Sequence, residues 1–186
     1  AEFINNTHAR IRFENEARAI ASLSHFHIVH AYEVDEDVQG PYIAMEYVSG
    51  PGEEGGGAWG PDLPMPPLTL EKRIKVQGPC SVEEAIAMGQ KLCTALSYAH
   101  GRGLIHRDIK PANILIDEHQ EPKIVDFGLA RASNTESEGL TLAGAQMLTI
   151  GYGAPEQETD ASTADHRADL YALGATLWYM LTAQSP

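Results

Sequence analysis

The stretch His106–Leu115, HRDIKPANIL, sets a carboxylate (Asp108), two cations (Arg107 and Lys110) and an amide (Asn113) within ten positions, then passes directly into an apolar run. Taken one at a time these residues say little. Aspartate recurs in turns because its side chain bonds backbone a residue or two on, and asparagine caps loops for the same reason. Neither habit accounts for unlike polar groups crowded together at the start of a strand. The flanking sequence supplies the reason.

Downstream, NILI (113–116) and KIVDF (123–127) are short runs rich in β-branched residues on either side of DEHQEP, and they predict an antiparallel hairpin. Asp126-Phe127-Gly128 follows Asp108 by eighteen residues, and Ala154-Pro155-Glu156 lies within GYGAPEQ (151–157). Further on, ADLYALGATLWYML (168–181) is apolar almost all round, the pattern of a helix buried at the centre of a domain. It is too short for the roughly 20 apolar residues that cross a bilayer.

Upstream, Ser81 and Glu84 have capping-box spacing and open a helix whose apolar face is expected to be Val82, Ala85, Ile86, Gly89, Leu92, Cys93, Leu96 and Ala99. Gly101 or Gly103 ends it. Between Ala9 and Leu23, Phe13, Ala17, Ile20 and Ala21 recur at helical spacing, with Glu16 beside the stripe. HIVHAYEV (27–34) and PYIAMEYV (41–48) read as a hairpin. Residues 49–67, SGPGEEGGGAWGPDLPMPP, lose all periodicity to glycine and proline and read as a flexible insert, Trp59 included.

The 186 residues are 43% hydrophobic and 21% charged, enough for one domain with a real core, and carry a net charge of -13. So acidic a chain repels phosphate backbones and anionic lipid, which argues against nucleic acid or a membrane surface as partner. Cys80 and Cys93 match no zinc spacing and read as reduced buried thiols. His25, His27 and His30 lie in HFHIVH without a second ligand cluster, and are not read as a metal site. There is no initiator Met and no signal peptide; the chain opens inside one helical pattern and closes just past another, so both ends read as cut.

His106-Arg107-Asp108 with Asn113 satisfies H-R-D-x-x-x-x-N, and with Asp-Phe-Gly and Ala-Pro-Glu following in order the constellation is specific. On these motifs, and on RFENEARAIASLSH, YIAMEYVSG, GLIHRDIKPANILI, KIVDFGLAR and DHRADLYALGATLWYMLT, the chain resembles the protein kinase family, the bacterial eukaryotic-like serine/threonine kinases in particular. The resemblance covers nearly everything but the insert. It implies an α+β, two-lobed kinase-like fold, incomplete at both ends: residues 1–48 as a small-lobe remnant and hinge, 49–67 as the insert, and 68–186 as the large lobe through its central helix.

It also implies roles. Asp108 would accept the proton of the substrate hydroxyl. Asn113 and Asp126 would hold Mg²⁺, and Lys110 would offset charge on the transferring phosphoryl group of ATP. Glu16 takes the place of the helix glutamate that pairs with a strand lysine. Met45 is the gatekeeper, Glu46 and Val48 offer backbone bonds to adenine, and Leu115 packs beneath it. Arg107 implies regulation by a phosphorylated residue of the activation segment, chosen by family spacing as Thr141 from among Ser133, Thr135, Ser137 and Thr141. Thr149 matches the threonine that bonds the catalytic loop. Glu156 closes the Ala-Pro-Glu motif, and Asp169 matches the central-helix aspartate that anchors the loop backbone.

The expected activity is therefore ATP-dependent phosphorylation of protein serines and threonines in the cytoplasm, in a segment without direct membrane contact that could belong to a membrane-anchored kinase. Two alternatives stay open: a pseudokinase scaffold, which predicts loss of Asp108, Asn113 or Asp126, and a small-molecule phosphotransferase, which needs neither Lys110 nor Thr149 nor the Ala-Pro-Glu segment. The departures are the lack of a glycine-rich loop and strand lysine, Phe26 where proline is common, and Leu148, Ile150 and Gly153 near the peptide-binding segment. The expectation is a parent kinase that is active and a 186-residue chain with little turnover.

Overall fold

The hairpin around DEHQEP forms: Ile114–Ile116 (β4) pairs antiparallel with Pro122–Ile124 (β5), Ile114 opposite Ile124. A two-residue strand, Leu68–Thr69 (β3), adds on the other side of β4 to make a three-stranded sheet. The computed structural model describes residues 19–37, 40–51, 65–127, 151–160 and 164–186. A second, two-stranded sheet joins Ala31–Asp37 (β1) to Gly40–Met45 (β2).

The first hairpin is displaced from its sequence expectation. Residues 27–30, expected in the strand, instead lie alongside β5: Ile124 N–H donates to His27 O and Val29 N–H donates to Ile124 O, both at 2.9 Å, and Ile28 bridges Ile124 in parallel. The strand starts at Ala31 and runs on through Asp35, Glu36 and Asp37, which lie between the two runs that read as the hairpin. The reason is burial. Ile28 and Val29 are buried between the sheets, whereas Glu33, Glu36 and Asp37 keep their charges in water.

Four described helices follow: Leu70–Gln77 (α1), Val82–His100 (α2), Pro155–Asp160 (α3) and His166–Thr182 (α4). Thr69 Oγ1 accepts the Lys72 N–H to cap α1, Ser81 Oγ accepts the Glu84 N–H to cap α2, and an Asp165 carboxylate oxygen accepts the Arg167 N–H to cap α4. Each such cap contributes about 1 kcal/mol. The box expected at Ser81 closes only halfway. The Glu84 carboxylate turns to the Arg73 guanidinium and ties α2 to α1 instead.

The core lies where α1, α2 and α4 meet the three-stranded sheet. Leu23, Ile28, Leu70, Ile74, Leu92, Leu96, Ile109, Ile114, Ile116, Ile124 and Met180 are all essentially fully buried there. Each such side chain contributes roughly 1.5–3 kcal/mol from area removed from water. Two expected faces need correction. On α2 the buried stripe is Ala85, Met88, Gly89, Leu92, Ala95, Leu96 and Ala99, while Val82, Ile86 and Cys93 are exposed. On α4 only one face is buried: Leu170, Tyr171, Trp178 and Leu181 face outward. None of the described helices is long and apolar enough to cross a membrane.

Candidate active site

The segment His106–Asn113 leaves α2 through Gly101–Gly103, crosses beneath the sheet, and ends in a 3₁₀ turn, Pro111–Asn113, that feeds β4. Pro111 suits the first position of that turn because its fixed φ and missing N–H cost nothing there. Asn113 is buried, and its Nδ2 donates to both Asp108 O (2.8 Å) and Asp108 Oδ2 (2.9 Å). Lys110 Nζ lies 2.8 Å from the same Oδ2. One carboxylate, one amide and one ammonium thus converge, with the Asp108 side chain still 37% exposed and reachable from solvent.

Two buried residues hold this cluster from below. His106 is wholly buried: its Nδ1 accepts the Asp108 N–H (3.2 Å), its Nε2 donates to Val125 O (2.9 Å), and its ring meets Phe127 edge-on at 4.7 Å. Val125 O can only accept and the Asp108 N–H can only donate, so the proton sits on Nε2. Burial holds the imidazole below its usual pKa, against the opposing fields of Asp169, Asp108 and Asp126. With Nδ1 accepting a hydrogen bond, His106 is neutral while lying close to all three carboxylates. Val125 N–H also donates to Asn113 O (3.1 Å), which brings the 125–127 segment onto the Asn113 turn.

Asp169, fully buried near the start of α4, holds the other side. Its Oδ1 accepts the Arg107 N–H (2.6 Å), and its Oδ2 accepts the His106 N–H (2.9 Å) and the His100 Nε2–H (2.7 Å). Arg107 has φ 68°, a left-handed conformation that a non-glycine residue keeps only where its surroundings impose it. Asp126, at φ 64°, is exposed toward the same region.

Above the cluster, Met45 and Asp126 line one small cavity with Ile20, Val29, Ala31, Ile43 and Phe127. The Glu46 N–H donates to His30 O (2.8 Å) and its carboxylate pairs with Lys123 Nζ (2.6 Å). Val48 is buried. Leu115 alternates with the buried Ile114 and Ile116, so it faces the opposite side of the sheet from the core.

Asp108, Lys110 and Asn113 are thus bonded together, Asp169 holds the Arg107 backbone beside them, the Val125 bond brings the Asp126 segment onto the same turn, Met45 and Asp126 line one cavity, and Glu46 reaches Lys123, the residue paired with Leu115. Glu156 lies apart on the exposed side of α3. Arg107 Nη2 donates to Ala164 O (3.3 Å). Glu16, Thr141 and Thr149 lie outside the described residues. Sequence reasoning passed over Lys123, His100 and Gln157. Lys123, between the buried Pro122 and Ile124, had alternation as its signal, and His100 stands in the last turn of α2, where a helix dipole favours a proton donor. Gln157 had none beyond following Glu156. It is buried, accepts the Ala154 N–H and donates to Arg107 O.

Residues 3–186 match the family described as "Protein kinase domain". A serine/threonine-protein kinase PknB of Mycolicibacterium smegmatis is 36% identical over 180 residues, covering 95% of this chain and 26% of its own length. A probable serine/threonine-protein kinase of Clostridium perfringens is 38% identical over 185 residues, covering 100% of this chain and 24% of its own. The chain thus spans about a quarter of the length of the curated relatives it matches. Among solved structures, the Mycobacterium tuberculosis PknI kinase domain superposes with a TM-score of 0.69 at 27% identity, over 100% of this chain and 61% of that one.

Proposed function

Because the chain belongs to the protein kinase domain family, we propose that the protein transfers the γ-phosphoryl group of ATP to serine and threonine hydroxyls of protein substrates. The observation that carries this reading is the bonded triplet Asp108–Asn113–Lys110 laid against the Asp126 segment by Val125. Phosphoryl transfer asks a protein for positioning and for charge placed where it is needed, and little else.

Asp108 receives the acceptor hydroxyl. Its oxygen forms the new bond to the γ-phosphorus, the bond from that phosphorus to the β–γ bridging oxygen breaks to leave ADP, and the hydroxyl proton passes to the Asp108 carboxylate. Asn113 fixes the direction of that carboxylate through Nδ2, and Lys110 sets a positive charge beside it. The family generally uses Mg²⁺ with ATP, and the residues present suit it. With Nδ2 engaged by Asp108, Asn113 has Oδ1 as its ligand atom, and Asp126 offers an exposed carboxylate. Hard oxygens of this kind, one or two per ion and completed by phosphates, are what the ion prefers. Bound there, Mg²⁺ would neutralise charge on the β- and γ-phosphates.

Adenine is assigned to the strip Glu46–Val48, over Leu115. The Glu46 N–H is engaged by His30 and its carboxylate by Lys123, which hold the start of that strip in place. Lys110 and the residues around Thr149 and Ala154–Glu156 are assigned to the acceptor side, with Thr141 as the phosphorylated residue that Arg107 would meet. With ATP as donor, the assigned location is the cytoplasm.

Asp108→Asn in the whole protein tests the reading. Loss of a general base typically lowers a rate by ~10²–10⁴. Transfer of labelled γ-phosphate to a protein acceptor should fall accordingly, with phosphoserine and phosphothreonine as the products of the unmodified protein. An unchanged rate, or phosphotyrosine alone, contradicts it.

A further inference from the structure

We propose that Gln157 is a positioning residue for this reaction: its side-chain amide clamps the peptide linking Arg107 to Asp108 and so aims the Asp108 carboxylate. The inference rests on the reading of Asp108 as proton acceptor.

Gln157 is the third residue of α3 and only 5% exposed. Its Oε1 accepts the Ala154 N–H (3.0 Å), its backbone N–H donates to Ala154 O (2.9 Å), and its Nε2 donates to Arg107 O (2.9 Å). The first of these is a helix-capping bond, in which a third-position side chain reaches back to the residue before the helix, and the second closes the helix's first turn through the backbone. A cap needs only the acceptor oxygen, and glutamate serves as well as glutamine. The bond to Arg107 is additional, and only an amide has a donor to make it. The partners also fix the amide's orientation, since reversing it would set donor against donor and acceptor against acceptor.

What the bond holds is specific. The carbonyl of Arg107 and the N–H of Asp108 belong to one rigid peptide plane. Gln157 holds one edge of that plane, and His106 Nδ1 receives the N–H on the other at 3.2 Å. On its other side Arg107 is gripped through its own N–H by Asp169 Oδ1 at 2.6 Å, and its φ of 68° is the strained conformation those grips maintain. Two helices, α3 and α4, therefore hold the single residue preceding Asp108. Release the α3 grip and the plane can rotate, carrying the carboxylate with it. α3 is also the helix that follows the acceptor-side segment, so the same bond ties that segment to the loop on which the proton is transferred.

Gln157→Glu in the whole protein separates positioning from capping. The introduced carboxylate keeps the cap and cannot donate to Arg107 O. The thermal midpoint should be close to wild type at pH 6 and lower at pH 8, where the buried carboxylate is ionised, while ATP affinity stays close to wild type and kcat at pH 8 falls about tenfold, the equivalent of one buried hydrogen bond. As the pH is lowered toward about 6, the deficit relative to wild type should narrow, because a buried carboxyl protonates early and then donates again. Gln157→Met, which has neither donor nor acceptor, should lose kcat without that recovery. A Gln157→Glu protein within about twofold of wild-type kcat at every pH overturns the proposal and leaves Gln157 as a cap. So does a loss that tracks falling thermal midpoint and ATP affinity with no recovery at lower pH. Asp108→Asn assayed alongside distinguishes the two levels. If it turns over like wild type, the proton-acceptor reading falls; if it is slow and Gln157→Glu is not, only the positioning claim falls.

Discussion

Asp169 carries three hydrogen bonds on one fully buried carboxylate, and two of them are to the backbone of His106 and Arg107. Truncating it leaves two N–H groups and His100 without an acceptor in a dry site, where breaking a buried charged interaction costs about 3–5 kcal/mol. Asp169→Ala should therefore lower unfolding free energy by that order in urea titration, and Asp169→Asn, which keeps one acceptor, by less. A loss under about 1 kcal/mol would show that the loop holds Arg107 left-handed unaided. His106 makes a second prediction. Burial depresses its pKa below the usual 6.5, and His25 is depressed likewise, by burial and then by His27. The unfolded chain therefore binds more protons than the folded one below pH 6.5. Stability contributed by the buried neutral His106 is full above that pH and is lost as pH falls toward its folded value, by up to about 1.4 kcal/mol per pH unit, and His25, only partly buried, adds in the same direction. The urea midpoint should drop between pH 7 and pH 5.5; a flat or rising midpoint contradicts the buried neutral His106.

The elements are joined at a few tight points, and Gly89 is the clearest. A Cβ built on it would lie 3.1 Å from Leu177 Cδ2, so the missing side chain sets how closely α2 and α4 approach. Gly89→Val should destabilise by about 1–3 kcal/mol through overpacking, whereas Gly89→Ala, offset by better helix propensity, should change little. A valine as stable as wild type would mean the two helices can part without cost. This is also the scale at which the sequence was most and least legible. The β4–β5 hairpin was readable because β-branched runs bracket a polar turn, and the start of α2 because Ser81 is a strong cap. The face of α2 was harder. Ala85, Gly89, Leu92, Leu96 and Ala99 lie on it in any reading, but whether Ile86 or Met88 flanks them depends on where α4 and the sheet stand. α4 reads as apolar all round, yet nothing among the described residues covers Trp178 or Leu181. α1 offers only Leu70 and Ile74 as a stripe, too little periodicity to announce a helix. In the site, Asp108, Asn113 and Asp126 were visible through spacing. Gln157, His100 and Lys123 were passed over, because their partners lie 50, 69 and 77 positions away: alternation at Lys123 and the helix end at His100 mark an orientation but not a partner, and Gln157 has no local signal at all.

For the molecule as a whole, 26 acidic residues against 13 basic ones produce a net charge of -13, which by itself repels ATP. The geometry answers this locally. Lys110 stands beside Asp108, and in the proposed reading Asp126 and Asn113 supply the oxygens a divalent cation would use to bring the triphosphate in. The account therefore depends on three side chains from the 106–113 loop and the 125–127 segment meeting at one terminal phosphoryl group. A crystal structure of the whole protein with Mg²⁺ and a non-hydrolysable ATP analogue tests that most directly. It should show the metal in contact with Asp126 and Asn113 Oδ1, and the γ-phosphate facing Asp108 and Lys110. Nucleotide bound elsewhere, or metal density that touches neither Asp126 nor Asn113, would contradict the account.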